Sequence, residues 1–255
     1  MPRPERIYRT EAIILRRQDF LEADRLLTLY TQTSGKIRAI AKGSRKMNSR
    51  QLGHVELFTR AIMLIAHGRE LHVVSQSELV EPFLPLREDL TRGAYANYIG
   101  ELVENFSEFE EQNEKLFDLF NDALGWLSET ECDLRLVTRY FELHLLKLVG
   151  FQPSLFRCTM GQEELEPRDQ FFAVLEGGAV CPDHVHEVQK ALPLSLTALK
   201  TLRYMQKQPY DAVKLLRVSE QLHGELERTI QAYIVNILEK RLKSAEFIRR
   251  ARRLE

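Results

Sequence analysis

The sequence predicts an α+β protein in which a small β-barrel precedes a helical domain. Two observations support this prediction. Residues 10–78 contain short apolar or alternating segments separated by turn residues, as β-strands do. After Pro82 and Pro85 the apolar residues recur at the spacing of an α-helix. We therefore expect a barrel over residues 1–80 and a helical domain over residues 81–255.

The N-terminal region divides into five predicted strands. The clearest alternates small or apolar residues with mostly basic ones, and the last two are joined by a turn at His67-Gly68. The strands are Ala12–Leu15, Leu26–Tyr30, Lys36–Lys42, Val55–Ala66 and Glu70–Ser75. Five short strands in about 70 residues, with turns between them, predict a barrel of the OB-fold type.

The C-terminal region divides into five predicted helices. They are Leu90–Phe109, Lys115–Leu127, Leu134–Val149, Leu194–Gln206 and Ser219–Arg253. Gly150 is well placed to end the third helix. Residues 151–190 show no regular period, so we expect an irregular insertion within an otherwise all-α domain.

Composition narrows the class of protein. The chain has 255 residues, of which 44% are hydrophobic and 29% are charged, so it can bury a core. No segment approaches the ~20 apolar residues of a membrane span, and the N-terminus lacks the apolar centre of a signal peptide. Three cysteines do not form the framework of a secreted domain. We expect a reduced, cytoplasmic protein with no membrane partner.

Charge is unevenly distributed along the chain. The net charge of −1 combines +6 over residues 1–80, −9 over residues 81–130 and +2 over the remainder. Basic character concentrated in one domain favours a polyanionic partner.

The basic residues of the barrel form the strongest candidate site. Lys36, Arg38 and Lys42 share one face of the third predicted strand, and Arg45, Lys46 and Arg50 follow in the adjoining loop. Arg16 and Arg17 are weaker candidates at the end of the first strand. Cations in such an array bind phosphates by releasing condensed counterions, although a merely solvated basic surface is the alternative. Phe20, Tyr30 and Phe58 could stack on bases or lie in the barrel core.

No motif indicates an enzyme. The sequence lacks a phosphate-binding Gly-x-x-x-x-Gly-Lys-Ser/Thr loop, a Gly-x-Ser-x-Gly elbow and a His-Glu-x-x-His zinc motif. The pair Glu110-Glu111 is expected to be solvated, and His144 is expected to lie in or near the core. We predict that the protein has no catalytic residues.

Several motifs resemble the bacterial RecO family of recombination mediators. The matching positions are Glu22-Ala23-Asp24-Arg25, Thr31, Gly35-Lys36, Lys42-Gly43 and Ser49-Arg50. The C-terminal segment YIVNILEKRLKSAEF also resembles the closing helix of that family. The resemblance covers essentially the whole chain and is most specific at the N-terminus.

This resemblance implies a function and a set of partners. It implies an OB-fold, a helical domain, binding of single- and double-stranded DNA, and annealing of complementary strands. It also implies loading of RecA onto strands coated by single-strand-binding protein, with RecR and sometimes RecF as partners. The protein would then be cytoplasmic and associated with the nucleoid, and no catalytic residue accompanies the resemblance.

The C-terminal segment suits the tail of single-strand-binding protein, which is acidic with an apolar end. Seven cations and one acid lie between residues 240 and 253, interleaved with apolar side chains. An acidic peptide with an apolar tip requires cations around a hydrophobic pocket. The candidates are Lys240, Arg241, Lys243, Phe247 and Arg249.

The chain departs from the family at its zinc site. Many members carry two Cys-x-x-Cys arms, one on each side of a Gly-Gly pair. This chain offers only Cys158, Cys181 and His184 around Gly177-Gly178. Structural zinc needs four ligands, so we predict a degenerate zinc-finger-like segment without tightly bound zinc. A hairpin formed by the apolar residues 171–175 and by Val180 could fold without metal.

Two alternatives remain at this stage. The protein could be an interaction adaptor whose basic face binds an acidic partner protein. It could also be an RNA-binding OB-fold protein.

Overall fold

The N-terminal region is a closed five-stranded barrel. The computed structural model describes residues 7–46, 53–68 and 70–252. The strands are β1 (Ile7–Phe20), β2 (Asp24–Thr31), β3 (Gly35–Ala41), β4 (Arg60–Ala66) and β5 (His72–Glu81). Their order around the barrel is β1-β2-β3-β5-β4, with a parallel β3–β5 pair and antiparallel pairing elsewhere. The prediction of an OB-type barrel is confirmed.

Alternation along each strand fills the barrel with small and branched apolar side chains. In β3, Ile37, Ala39 and Ala41 point inward and are at most 1% exposed. The strands are longer or shorter than the apolar pattern predicted. In particular, β1 continues past its apolar run to Phe20 because it keeps pairing with β2, and β4 begins only at Arg60. Ladder hydrogen bonds, which composition does not show, set these bounds.

Three helices complete the first compact unit. They are α1 (Pro85–Glu88), α2 (Leu90–Phe106) and α3 (Glu114–Ser128). The side chain of Asp89 caps α2 by accepting from the N–H of Arg92, and Asn113 caps α3 through the N–H of Leu116. Contacts divide the chain into one unit of residues 1–129 and 247–255 and a second of residues 130–246. The barrel itself ends with β5 at Glu81.

The second region is helical but also contains a small sheet. Its helices are α4 (Leu134–Leu148), α5 (Leu196–Lys207), α6 (Tyr210–Val213) and α7 (Glu220–Leu238). The last helix, α8 (Lys243–Ala251), begins in this unit, and its residues from Phe247 onward belong to the first unit. The three-stranded sheet consists of β6 (Gln170–Ala173), β7 (Gly178–Val180) and β8 (Ala191–Leu194) in the order β7-β6-β8. The predicted hairpin is present, but β8 was not predicted from the sequence, and its four residues have no clear alternation.

The last predicted helix is in fact two helices. Glu239 adopts a left-handed conformation with φ of 53° and ends α7, so α8 begins separately at Lys243. Apolar periodicity runs through both helices and did not reveal the break. None of the described helices is long and apolar enough to cross a membrane.

Candidate nucleic-acid interface

The outer face of β1, β2 and β3 carries a row of polar side chains across the strands. Arg16 is in register with Thr28, and Thr28 is in register with Arg38. The side chains of paired residues project to the same face of a sheet, so the two arginines flank the threonine. A shallow groove of about 190 Å³ follows this row, lined by Arg16, Gln18, Leu26, Thr28, Arg38 and Glu104.

Arg16 is exposed but not isolated. Its Nε lies 2.7 Å from a carboxylate oxygen of Glu104, and 55% of the Arg16 side chain remains exposed. An ion pair this open to solvent contributes little free energy, so a phosphate can compete with the carboxylate for the guanidinium. Arg16 therefore stays in the candidate interface.

Arg17 lies on the other face of the sheet. It is in register with Leu27, whose side chain is inside the barrel, and it pairs with Glu56, which also bonds Arg25 at 2.9 Å. The Arg17 side chain is 40% exposed and already pairs with Glu56. Because neighbouring strand residues face opposite ways, Arg17 does not continue the row of Arg16, Thr28 and Arg38, and its role in DNA binding stays a prediction.

Lys36 also differs from the prediction, because it is buried rather than on the exposed basic face. Only 7% of the residue is accessible, and its Nζ donates to the carbonyl oxygens of Glu104, at 2.7 Å, and Ser107. Both carbonyls belong to the C-terminal end of α2, where a cation is favoured by the helix dipole. Alternation places Lys36 on the outer side of β3, but it does not reveal that a helix end covers this position.

The turn after β3 carries the other predicted DNA-binding cations that lie within the described residues. Lys42, Arg45 and Lys46 are all exposed. The carboxylate of Asp24 accepts from the N–H of Gly43 at 2.8 Å and so fixes the turn, in which Gly43 has φ of +63°. Arg45 also pairs with Asp19 at 3.3 Å. Arg50 lies outside the described residues.

Of the aromatic candidates, Tyr30 and Phe58 are core residues, at most 2% exposed, and Phe20 is partly buried. The structure instead exposes Phe109, which is 47% accessible. Its ring centroid lies 5.1 Å from the guanidinium carbon of Arg38 and 4.6 Å from Nζ of Lys36. The helical spacing of the sequence predicts Phe109 at a helix end and gives no sign of its exposed position, which depends on a contact between β3 and the segment after α2.

That contact holds Phe109 beside the row of arginines. The N–H of Glu110 donates to the carbonyl of Lys36 at 2.9 Å. A Cβ atom at Gly35 would lie 1.8 Å from the carbonyl oxygen of Glu111, so only glycine allows this close approach. Glu110 is exposed and pairs with His72 at 3.3 Å, which supports the expected solvated position of this acid.

Among the C-terminal candidates for peptide binding, the cations are exposed, whereas most of the apolar side chains between them are buried. Lys240, Arg241, Lys243 and Arg249 are exposed, and Phe247 is 42% accessible. Leu242 and Ile248 are buried, so they are not available to a peptide. Farther along, Nε of Arg252 donates to the hydroxyl of Tyr95 at 2.7 Å.

The cysteine and histidine candidates converge in the second unit. Sγ of Cys181 lies 3.0 Å from Nδ1 of His184, and Sγ of Cys158 lies 3.7 Å from the same nitrogen. A carboxylate oxygen of Glu163, which sequence analysis did not select, lies 3.3 Å from that nitrogen and 3.2 Å from Sγ of Cys181. The four potential ligand atoms lie within 4.8 Å of one another.

His144 lies partly buried between α4 and α5. Its Nε2 contacts the carbonyl oxygen of Met205 at 3.0 Å, and its ring stacks on Tyr140. Burial lowers the pKa of His144, so the ring is neutral near pH 7. This agrees with its expected place in or near the core.

The fold and its surface define a protein built from an OB-type barrel and a helical region. Two family models cover nearly all of the chain: residues 6–83 match "Recombination protein O N terminal", and residues 87–246 match "Recombination protein O C terminal". The chain therefore belongs to the recombination protein O (RecO) family, a family of DNA repair proteins that act in recombination.

Curated relatives support the same assignment. The chain is 41% identical to a DNA repair protein RecO of Roseiflexus over 96% of its own length and 86% of the relative's. It is 36% identical to a RecO of Dehalococcoides mccartyi over 93% of both chains. It is also 36% identical to a RecO of Symbiobacterium thermophilum over 95% of its own length and 96% of the relative's.

Proposed function

We propose that the outer face of β1–β3 binds DNA and that the protein is a non-enzymatic recombination mediator. The observation that carries this proposal is the row formed by Arg16, Thr28 and Arg38, continued by exposed Lys42 at the end of β3. OB-folds bind oligonucleotides on the face of their second and third strands, the face on which Thr28 and Arg38 lie.

The chemistry of this face suits a strand backbone. The exposed guanidinium and ammonium groups neutralise phosphates and thereby lower the repulsion between two strands held on one protein. The half-exposed ring of Phe109 beside Arg38 offers a surface on which an unpaired base can stack. Together these features favour single strands, and neutralised strands can find their complement and anneal.

The family membership supports further steps. The protein would load RecA indirectly, by helping to replace single-strand-binding protein, with RecR and possibly RecF as partners at the nucleoid in the cytoplasm. This function requires no catalytic cofactor, because strand binding and annealing involve no covalent chemistry.

A binding series tests the DNA site. We expect the Arg38→Glu/Lys42→Glu variant to bind single-stranded DNA at least tenfold more weakly. The slope of log affinity against log salt should be shallower by about 1.4, since each lost phosphate contact removes about 0.7. The control is Lys190→Glu/Lys200→Glu, which changes two exposed cations of the second unit by the same charge.

Unchanged affinity and slope in the folded Arg38→Glu/Lys42→Glu variant would show that the basic face is only a solvated surface. Binding of RNA as tight as that of DNA would favour the RNA-binding alternative. Lack of binding to either nucleic acid would favour the adaptor alternative.

We also propose that the exposed cations Lys240, Arg241, Lys243 and Arg249, with Phe247, bind the acidic tail of single-strand-binding protein. Because Leu242 and Ile248 are buried, Phe247 is the apolar group of this segment that a peptide can reach. Arg241→Glu/Lys243→Glu should weaken binding of a labelled tail peptide at least fivefold. Equal affinity for the native and variant chains would place the tail site elsewhere.

A further inference from the structure

The two arms around the β6–β7 hairpin place four potential metal ligands together. In the first arm, the N–H of Cys158 donates to the carbonyl of Glu163 at 2.9 Å, which closes a loop whose turn residue Gln162 has φ of +63°. In the second arm, the N–H of His184 donates to the carbonyl of Cys181 at 3.1 Å. The N–H of Thr159 donates to the carbonyl of Ala179 in β7, so backbone pairing fixes the first arm to the strand that leads into the second.

The four potential ligand atoms are close enough to surround one ion, since all of them lie within 4.8 Å of one another. Zinc bonds of about 2.3 Å to sulfur and about 2.0–2.1 Å to nitrogen or oxygen give ligand-to-ligand distances of roughly 3.3–3.8 Å. Four of the six separations lie close to that range: 3.0 and 3.7 Å from sulfur to nitrogen, 3.2 Å from sulfur to oxygen and 3.3 Å from nitrogen to oxygen. Cys158 is fully buried and Cys181 is 7% exposed, so two of the ligands are shielded from water.

The position of Glu163 is explained by a neighbouring glycine. In the family pattern the first arm carries a second cysteine, and the position of this chain that corresponds to it is Met160 or Gly161. A Cβ atom built on Gly161 would lie 2.0 Å from a carboxylate oxygen of Glu163 and 2.4 Å from Cε1 of His184. The carboxylate therefore occupies the space that a side chain at residue 161 would need.

We propose that Glu163 is a metal ligand in this chain and closes a zinc site with Cys158, Cys181 and His184. The prediction of no tightly bound zinc rested on the lack of a fourth ligand, and Glu163 supplies one. Two thiolates, one carboxylate and a neutral imidazole suit zinc, which accepts sulfur, nitrogen and oxygen donors. With the ion bound, the site carries a net charge of −1 instead of the −2 of four thiolates.

Metal binding to the full chain tests this proposal directly. Protein prepared with zinc and then dialysed should retain about one zinc per chain, and removal of the zinc by a chelator should lower the thermal midpoint. Cobalt(II), used as a probe in the metal-free protein, should give the visible bands of a tetrahedral site and the near-ultraviolet bands of thiolate coordination. Glu163→Gln should weaken zinc binding about tenfold or more in competition with a chelator, whereas Glu164→Gln should not.

A second variant keeps the proposal falsifiable if Glu163→Gln folds poorly. Glu163→Asp keeps a carboxylate beside the cluster, so it should retain more zinc affinity than Glu163→Gln in the same competition. Absence of stoichiometric zinc in the folded native protein would overturn the proposal. Native affinity in Glu163→Gln would also overturn it, and neither result depends on DNA binding.

Discussion

Among single residues, Lys36 shows most clearly how burial changes the role of a charge. Its ammonium is directed at two carbonyls at the end of α2, and its backbone carbonyl accepts from Glu110. A cation that already has these partners joins β3 to the end of α2. We therefore assign Lys36 to stability and Arg38, two residues on, to the proposed DNA-binding surface.

This assignment predicts that replacing Lys36 and replacing Arg38, both on β3, have opposite effects on stability and on DNA binding. Lys36→Met keeps the aliphatic chain but removes two charge-assisted hydrogen bonds, so it should lower the free energy of unfolding by about 1–3 kcal/mol. Arg38→Met changes an exposed group and should stay within about 0.5 kcal/mol. Urea denaturation measures both.

The DNA affinity of the two variants provides the contrast. Folded Lys36→Met should bind single-stranded DNA within about twofold of the native chain, while Arg38→Met should bind more weakly. A stable Lys36→Met variant that has lost DNA binding would contradict the assignment.

The positions of some individual side chains could be predicted from the sequence, and those of others could not. Alternation correctly assigned Arg38 to the outer side of β3, because a strand has a strict period of two. The same period places neighbours such as Arg16 and Arg17 on opposite faces. It cannot distinguish exposed from covered lysines, because the helix end that covers Lys36 is distant in sequence. Glu163 was missed because its distance from Cys158 matches no Cys-x-x-Cys arm.

At the scale of elements, the start of α4 depends on one charged residue. Asp133 accepts from the N–H groups of Arg135 and Leu136 at 3.0 Å, and its other oxygen lies 2.9 Å from Nε2 of His223 on α7. Burial alone would raise the pKa of Asp133, but the hydrogen bonds from His223 and the backbone outweigh it and lower the pKa. The ionised form is thus favoured in the folded state.

A carboxyl group whose pKa is lowered in the folded state stabilises the fold at pH values above the ordinary pKa of that group. This stabilisation is lost as the pH falls through the lowered pKa. Asp133→Asn retains a capping side chain but loses the charge. It should lower the free energy of unfolding at pH 7 by about 1 kcal/mol and flatten its dependence on pH below about 4.

Denaturation at several pH values measures this effect. The control Asp211→Asn changes an acid that is 84% exposed and paired with Lys214, the residue that follows α6, so it should have little effect. Acid profiles that run parallel for the native chain and Asp133→Asn would contradict the capping and pairing role.

Element types and bounds were not equally predictable. Five barrel strands and the main helices follow from period and turn residues, which are local signals. The strand β8 and the break at Glu239 do not, because the first depends on pairing with β6 and the second on a left-handed residue that is not glycine. Tertiary contacts overrode the local pattern at both places.

At the scale of the whole molecule, family membership and surface chemistry support one account. The chain belongs to a family of recombination proteins over nearly its full length. Its barrel presents exposed cations on the face that OB-folds use, and the ring of Phe109, from the segment after α2, lies beside Arg38. A mediator with this surface should act on strands through their phosphates, and its activity should depend on the same cations as its binding.

Annealing of strands coated by single-strand-binding protein tests this central claim most directly. Two complementary oligonucleotides, one labelled with a fluorophore and the other with a quencher, are coated and mixed with the protein. We predict that the native chain and Lys190→Glu/Lys200→Glu accelerate quenching, while Arg38→Glu/Lys42→Glu is at least tenfold slower. No acceleration by the native chain, or equal rates for the native chain and Arg38→Glu/Lys42→Glu, would contradict the account.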